Sequence, residues 1–124
     1  MSLESRLALL TDADKSLLSN IVRGIEKESL RVEPNGQLAK TPHPRALGSA
    51  LTHPSITTDY SEALLEFITA PSASINEVLN ELEEIHRYTY ENIDDELLWV
   101  NSMPCQLGED SSIPVGEYGR SNIG

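Results

Sequence analysis

The chain has 124 residues, enough for one hydrophobic core, and its 9 basic and 20 acidic residues give a formal net charge of −11. This charge repels nucleic-acid phosphates and anionic lipid, which disfavours both kinds of partner. A single cysteine excludes an internal disulfide and a thiolate-based zinc site. Because no apolar run reaches the roughly 20 residues of a membrane span, and no secretory signal is present, we expect a cytoplasmic protein.

Residues 1–23 predict a helical lead-in. Leucines recur at helical spacing from Leu3 to Leu10. Apolar residues from Leu17 to Val22 predict a second short helix, and Gly24 is placed where that helix would stop.

Residues 24–69 predict strands joined by a proline-rich loop. Residues 25–32 have the composition of a strand, and the Glu-Pro-Asn-Gly of residues 33–36 predicts a turn into a short antiparallel partner. Three prolines between 41 and 56 predict a loop, because proline lacks a backbone donor. Residues 62–69 form an apolar run of strand length, although their Ala and Leu content also fits a helix.

The clearest predicted element is an amphipathic helix over residues 74–92. Residues 74–77 read Ser-Ile-Asn-Glu, a capping box, and apolar residues follow at spacings of three and four. Residues 93–124 have no sustained period and predict an extended tail anchored by Trp99 and Val100. We therefore expect an α+β fold, in which part of an antiparallel sheet has flanking helices.

Two glutamates, Glu26 and Glu28, lie two residues apart on the first predicted strand. Alternation along a strand puts both carboxylates on one face, about 6.5–7 Å apart along the chain. They are either solvated, with Lys27 pointing to the opposite face, or accompanied by a cation, because buried like charges repel each other.

A second acidic set contains Asp59, Glu62 and Glu66. On a strand, Glu66 would lie between Leu64 and Ile68, where a carboxylate needs a hydrogen-bond partner or a metal ion. Oxygen ligands from two strands suit Mg²⁺ or Mn²⁺. The alternative is an exposed edge strand whose carboxylates are solvated.

Other candidate residues indicate structural roles. His86 falls on the apolar stripe of the amphipathic helix, which is typical of a histidine at a core boundary. Cys105 has no histidine or basic residue near it in sequence, so a catalytic thiolate is not expected. The chain also lacks the glycine-rich motifs that cradle phosphates.

A series of ordered motifs covers nearly all of the chain beyond Ser19. They are GIEKESLRV at 24–32, HPRALGSALTH at 43–53, ITTDY at 56–60, EALLEFIT at 62–69, HRYT at 86–89, NSMPC at 101–105 and YGRSNIG at 118–124. In this order they resemble the N-terminal part of the proteobacterial-type glutamate–cysteine ligases, or γ-glutamylcysteine synthetases.

The resemblance implies an ATP-dependent ligase that joins the γ-carboxyl of L-glutamate to the amine of L-cysteine through γ-glutamyl phosphate. This reaction is the first step of glutathione biosynthesis. The resemblance also implies a catalytic core like that of glutamine synthetase, with Mg²⁺, or alternatively Mn²⁺, held by Glu26, Glu28, Asp59 and Glu66. Tyr60 would line the cysteine site. None of these residues is assigned a catalytic role.

Members of that family are several times longer than this chain. The resemblance therefore makes residues 1–124 an N-terminal fragment of a single catalytic domain, with an incomplete active site. We expect the fragment alone to be inactive and to self-associate through exposed sheet edges. Two alternatives remain open: a non-catalytic acidic interaction module, and a related carboxylate–amine ligase with a different amine acceptor.

Overall fold

The structure, a computed structural model, describes residues 1–12 and 19–118. Within these ranges the chain forms two α-helices, four strands and two short 3₁₀ helices. In our numbering they are α1 (Leu3–Asp12), β1 (Glu26–Val32), a 3₁₀ helix (Arg45–Leu47), β2 (Ile56–Thr58), β3 (Leu64–Ile68), α2 (Ile75–Tyr90), β4 (Leu97–Leu98) and a second 3₁₀ helix (Asp110–Ser112). None of the described helices is long and apolar enough to cross a membrane.

The four strands form one antiparallel sheet in the order β2-β3-β1-β4. The long pair is β1 with β3, in a register that sets Ser29 opposite Leu65 and Lys27 opposite Phe67. At the edges, β2 pairs with β3 and β4 pairs with the end of β1. The expected antiparallel sheet with flanking helices is confirmed.

The turn predicted after β1 is present. The backbone N–H of Glu33 donates to the carbonyl of Gln37 at 2.8 Å, and Leu38 pairs with Val32 in an antiparallel bridge. Gly36 has φ +82°, a left-handed conformation that glycine adopts without steric cost. The Asn-Gly dipeptide therefore returns the chain as its sequence predicts.

The main core lies between one face of the sheet and α2. Leu65 and Phe67 alternate into it from β3, and Ile85 packs onto them from the helix. This helix begins where the capping box predicts, because the Ser74 hydroxyl accepts the Glu77 N–H at 3.3 Å. Its apolar stripe therefore fixes which face of the sheet is covered.

Arg31 is a fully buried charge on the covered side of β1, with 0% of its surface exposed. Its guanidinium donates to Glu96 at 2.6 Å, to the Thr41 hydroxyl at 2.6 Å and to the carbonyl of Glu62 at 2.7 Å. One side chain thus joins β1 to three separate loops, since guanidinium has five donors in a fixed plane.

Several expectations about the ends of the chain need correction. The second predicted lead-in helix lies largely in residues 13–18, outside the described residues, and Ile21 and Val22 beyond them are exposed and not helical. In the tail, β4 pairs with β1 where we predicted only extended loop. Val100 is not an anchor, because it is 86% exposed, whereas Trp99 is half-buried.

Candidate functional site

Two carboxylates face each other across the central strand pair. The register sets Glu28 of β1 directly opposite Glu66 of β3, with Glu26 two residues away on the same side of β1. Glu26 and Glu28 are exposed, and Glu66 is half-buried. The predicted alternation is therefore confirmed for both strands, and these three side chains lie on the side of the sheet away from the main core.

Asp59 reaches this side from the loop after β2. Its N–H donates to the carbonyl of Leu64 at 3.2 Å, which holds the loop against the start of β3. The pKa of Glu66 is raised, first by burial and then by the negative charges of Asp59, Glu26 and Glu28. We call Glu26, Glu28, Asp59 and Glu66 the acidic face, because the first three raise the pKa of the fourth.

No basic side chain compensates the acidic face in the described ranges, where the ion pair found is that of Arg31 with Glu96. Lys27 turns to the opposite side, where its ammonium lies 5.7 Å from the Phe67 ring centre. No three His, Cys, Asp or Glu side chains among the described residues lie close enough to hold a metal ion as they stand.

The donor set nevertheless fits a hard divalent cation. All four members of the acidic face offer carboxylate oxygens, which Mg²⁺ and Mn²⁺ prefer over nitrogen and sulfur. Burial, and then the charges of Asp59, Glu26 and Glu28, raise the pKa of Glu66 and so disfavour its ionised form. A bound dication would supply a compensating charge, so Glu26, Glu28, Asp59 and Glu66 are the residues that could hold a metal.

Tyr60 follows Asp59 and is strongly exposed, at 81%. Its backbone has φ +56°, a left-handed conformation that is uncommon for residues other than glycine. The phenol ring is thus available to a ligand or to another part of a longer polypeptide.

A cavity of about 350 Å³ borders the acidic face at Glu28. Its walls include Leu30, Leu64 and Trp99. The Trp99 indole N–H donates to the carbonyl of Met103 at 2.6 Å, which curls the 101–105 segment over the strand. This cavity was not predicted from the sequence. The NSMPC motif at 101–105 could have indicated it, because three of its residues line the cavity.

Glu62 does not join the acidic face, contrary to its grouping with Asp59 and Glu66 in the sequence. It is buried, and its carboxylate accepts the backbone N–H groups of His43 and Glu117. Its role in the described structure is to tie two loops to the start of β3.

Two other candidate residues have the structural roles that were expected. His86 meets Phe67 edge-on, with ring centres 4.9 Å apart. Cys105 is buried, and burial raises the pKa of its thiol, which keeps it protonated at neutral pH.

Comparison with known proteins settles the family. The family model described as "Glutamate-cysteine ligase" matches residues 7–124. The chain belongs to the glutamate–cysteine ligase family. The glutamate–cysteine ligase of Alcanivorax borkumensis is 63% identical over 123 residues, covering 98% of this chain and 23% of that protein. That of Saccharophagus degradans is 57% identical over 108 residues, covering 87% of this chain and 20% of that protein.

Solved structures share the fold. A crystal structure of glutamate–cysteine ligase from Francisella tularensis, in complex with AMP, matches 80% of this chain with 43% identity and a TM-score of 0.76. A bifunctional glutathione synthetase from Pasteurella multocida matches 89% with 33% identity and a TM-score of 0.74. These matches cover 20% and 14% of the respective chains, so this chain spans a quarter or less of its relatives' length.

Proposed function

We propose that this chain supplies one wall of the active site of an ATP-dependent glutamate–cysteine ligase, working in the cytoplasm. The enzyme joins the γ-carboxyl of L-glutamate to the amine of L-cysteine through γ-glutamyl phosphate. The observation that carries the proposal is the placement of Glu28 opposite Glu66, together with the negative charges of Glu26 and Asp59, which also raise the pKa of Glu66. Family membership at 56–63% identity supports it.

In this proposal Glu26, Glu28, Asp59 and Glu66 hold Mg²⁺, or Mn²⁺, between them. L-glutamate and ATP are both anions, and a dication held by these residues would offset their repulsion and stabilise the charge that develops during phosphoryl transfer. The four carboxylates hold and orient without giving up or taking a proton. The two strands fix Glu28 against Glu66, whereas Asp59 depends on its loop.

Tyr60 is proposed to line the site of the cysteine substrate. Its 81% exposure beside Asp59 supports this role, because a substrate side chain is then able to cover the ring. Positioning the amine near the acyl phosphate supplies rate by proximity, without a general base from this chain.

The test is a chimera in which this chain replaces the matching segment of the Alcanivorax borkumensis ligase. We expect the chimera to form γ-glutamylcysteine in a Mg²⁺-dependent way, and the 124-residue chain alone to form none. Glu28→Gln in the chimera should lower kcat/KM at least about 100-fold. The metal would lose one of its carboxylate ligands, and the charge that develops in the transition state would be less well stabilised. Glu83→Gln, on the exposed side of α2, is the matched control.

Two results would contradict the proposal. Unchanged activity of the folded Glu28→Gln chimera shows that the carboxylates are merely solvated, as in an acidic interaction module. Product formation with another amine, but not with L-cysteine, shows a related ligase with a different acceptor. Circular dichroism of each variant establishes that it has folded.

The isolated chain is also proposed to self-associate. The outer edges of β2 and β4 have no strand partner in the described part of the sheet, and unpaired edges favour strand addition. Sedimentation velocity at increasing concentration tests this, and a purely monomeric chain would contradict it.

A further inference from the structure

The loop that carries Asp59 and Tyr60 holds Tyr60 in a backbone conformation that the tyrosine's own ring does not stabilise. Tyr60 has φ +56°, a left-handed conformation that is strained for a bulky residue. With 81% of its surface exposed, the Tyr60 ring gains little from packing. The loop's own backbone bonds are those of Asp59 N–H to Leu64 and of Ser61 N–H to Asp59, and contacts from elsewhere in the chain add to them.

The Tyr118 hydroxyl provides those contacts on both sides of Asp59. It accepts the N–H of Tyr60 at 3.1 Å and donates to the carbonyl of Thr58 at 3.2 Å. A phenol has one donor and an acceptor oxygen, so both bonds form at once. The two groups it joins flank Asp59, the loop's contribution to the acidic face.

The segment before Tyr118 adds three bonds to the same loop. Gly116 donates its N–H to the carbonyl of Tyr60 at 2.8 Å, and the Ser61 hydroxyl and the Glu62 N–H donate to the carbonyl of Pro114 at 2.7 and 3.2 Å. A side-chain carbon at Gly116 would lie 2.9 Å from the Tyr118 ring, so a glycine lets the phenol approach.

We propose that Tyr118 is a positioning residue of the ligase, whose hydroxyl fixes Asp59 and Tyr60 relative to β3. This inference rests on the proposed function of those two residues. The hydroxyl contributes to metal and cysteine binding through the loop, without touching either ligand. Removing it should leave the β1–β3 pairing and α2 in place, because, among the described residues, its hydroxyl bonds only the end of β2, at Thr58, and the loop that follows.

The experiment compares Tyr118→Phe, which removes the hydroxyl alone, with Tyr88→Phe. Tyr88 lies on α2, outside the loop that carries Asp59. Its phenol O–H also donates to a backbone carbonyl, that of Ala46 at 2.8 Å. In the 124-residue chain we measure amide hydrogen exchange of Tyr60 by NMR. We expect it to accelerate about 2- to 12-fold in Tyr118→Phe, the value of one hydrogen bond, and to stay unchanged in Tyr88→Phe.

Kinetics of the chimera separate positioning from general stability. In Tyr118→Phe we expect KM for L-cysteine and the half-saturating Mg²⁺ concentration to rise about 2- to 12-fold, with a smaller change in kcat. Gly116→Ala, which keeps the hydroxyl but displaces the ring, should reproduce both effects. Equal behaviour of Tyr118→Phe and Tyr88→Phe in exchange and in KM would overturn the positioning role.

Failure of the proposed function has a different signature. If Glu28→Gln leaves the chimera fully active, the metal assignment is wrong and the positioning role in catalysis falls with it. If Glu28→Gln abolishes activity while Tyr118→Phe changes neither KM nor Mg²⁺ dependence, the inference about Tyr118 alone is wrong.

Discussion

Glu28 and Glu66 lie directly opposite each other on adjacent antiparallel strands, with no basic side chain paired to either in the described ranges. Like charges directly across a strand pair destabilise a sheet. Folded proteins keep such local conflicts chiefly at functional sites. This pair is therefore the most informative feature of the fold for function.

Replacing Glu66 by Gln should stabilise the metal-free chain. The change removes the charge that Asp59, Glu26 and Glu28 disfavour, and we expect a rise in Tm of about 1–5 °C at neutral pH in EDTA. In saturating Mg²⁺ the order should reverse, since the variant loses a ligand. Differential scanning fluorimetry measures both.

Glu83→Gln is the matched control for that comparison, because Glu83 is an exposed glutamate of α2. It should leave Tm within error in EDTA and keep any stabilisation by Mg²⁺. A Mg²⁺ response of Glu66→Gln equal to that of the unmodified chain would refute the role of Glu66 as a ligand.

Glu62→Gln should destabilise the chain by about 1.5–3 kcal/mol. Glu62 is 7% exposed, its carboxylate accepts two backbone N–H groups, and hydrogen bonds to a charged acceptor are worth that much. Urea denaturation followed by Trp99 fluorescence measures the loss. Glu109→Gln, at an exposed position, should change little, and a similar loss in both variants would show that burial of Glu62 is unimportant.

His43 should contribute a loss of stability as pH drops from 7 towards 5. Burial, followed by the charge of Arg31, holds the pKa of His43 below its ordinary value of 6.5, against the opposing charge of Glu62. The unfolded chain then binds a proton near pH 6.5 that the folded chain resists, so the contribution is complete above that pH and is lost below it.

The slope from this one group is at most about 1.4 kcal/mol per pH unit. Urea midpoints at several pH values, for the unmodified chain and for His43→Asn, isolate it. The variant also loses the 2.7 Å contact between the imidazole and the Thr58 hydroxyl, which lowers stability at every pH. An identical pH slope in both proteins would contradict the assignment.

Arg31→Met should destabilise the chain by about 3–5 kcal/mol, the usual result of removing one partner of a buried ion pair. Glu96 and the carbonyl of Glu62 would lose their donor inside the protein. A double-mutant cycle with Glu96→Gln measures the coupling between the two side chains. Arg87→Met on the exposed side of α2 is the control, and equal losses would argue against a special role for Arg31.

The faces of the long strands were predictable from sequence because alternation has a period of two. It placed Glu26 with Glu28 and separated Glu66 from Leu65 and Phe67, as observed. Capping chemistry likewise predicted the start of α2. Both signals are local, so one short window of residues contains all the information that they need.

The pairing of strands was not predictable in the same way. With three and two residues, β2 and β4 are too short to show a period, and their partners lie far away in sequence. The burial of Arg31 depends on acceptors that three loops bring together. The bonds of Tyr118 span about 60 residues, and no local pattern marks them.

The site was predictable in part. Spacing indicated that Glu26 and Glu28 share a face, but the proximity of Asp59 to Glu66 comes from the loop between β2 and β3. Glu62 was misgrouped because it precedes the start of β3, where strand alternation no longer decides direction. The roles of the acidic face and of Tyr60 in an intact ligase stay predictions.

The register of β1 against β3 has an evolutionary consequence. Since successive side chains alternate between faces, sliding either strand by a single position would exchange its inner and outer residues. Phe67 would then turn to solvent and Glu66 inward. A point replacement on either strand therefore changes one side chain and leaves the register in place, whereas a codon gained or lost within either would destroy folding and chemistry together.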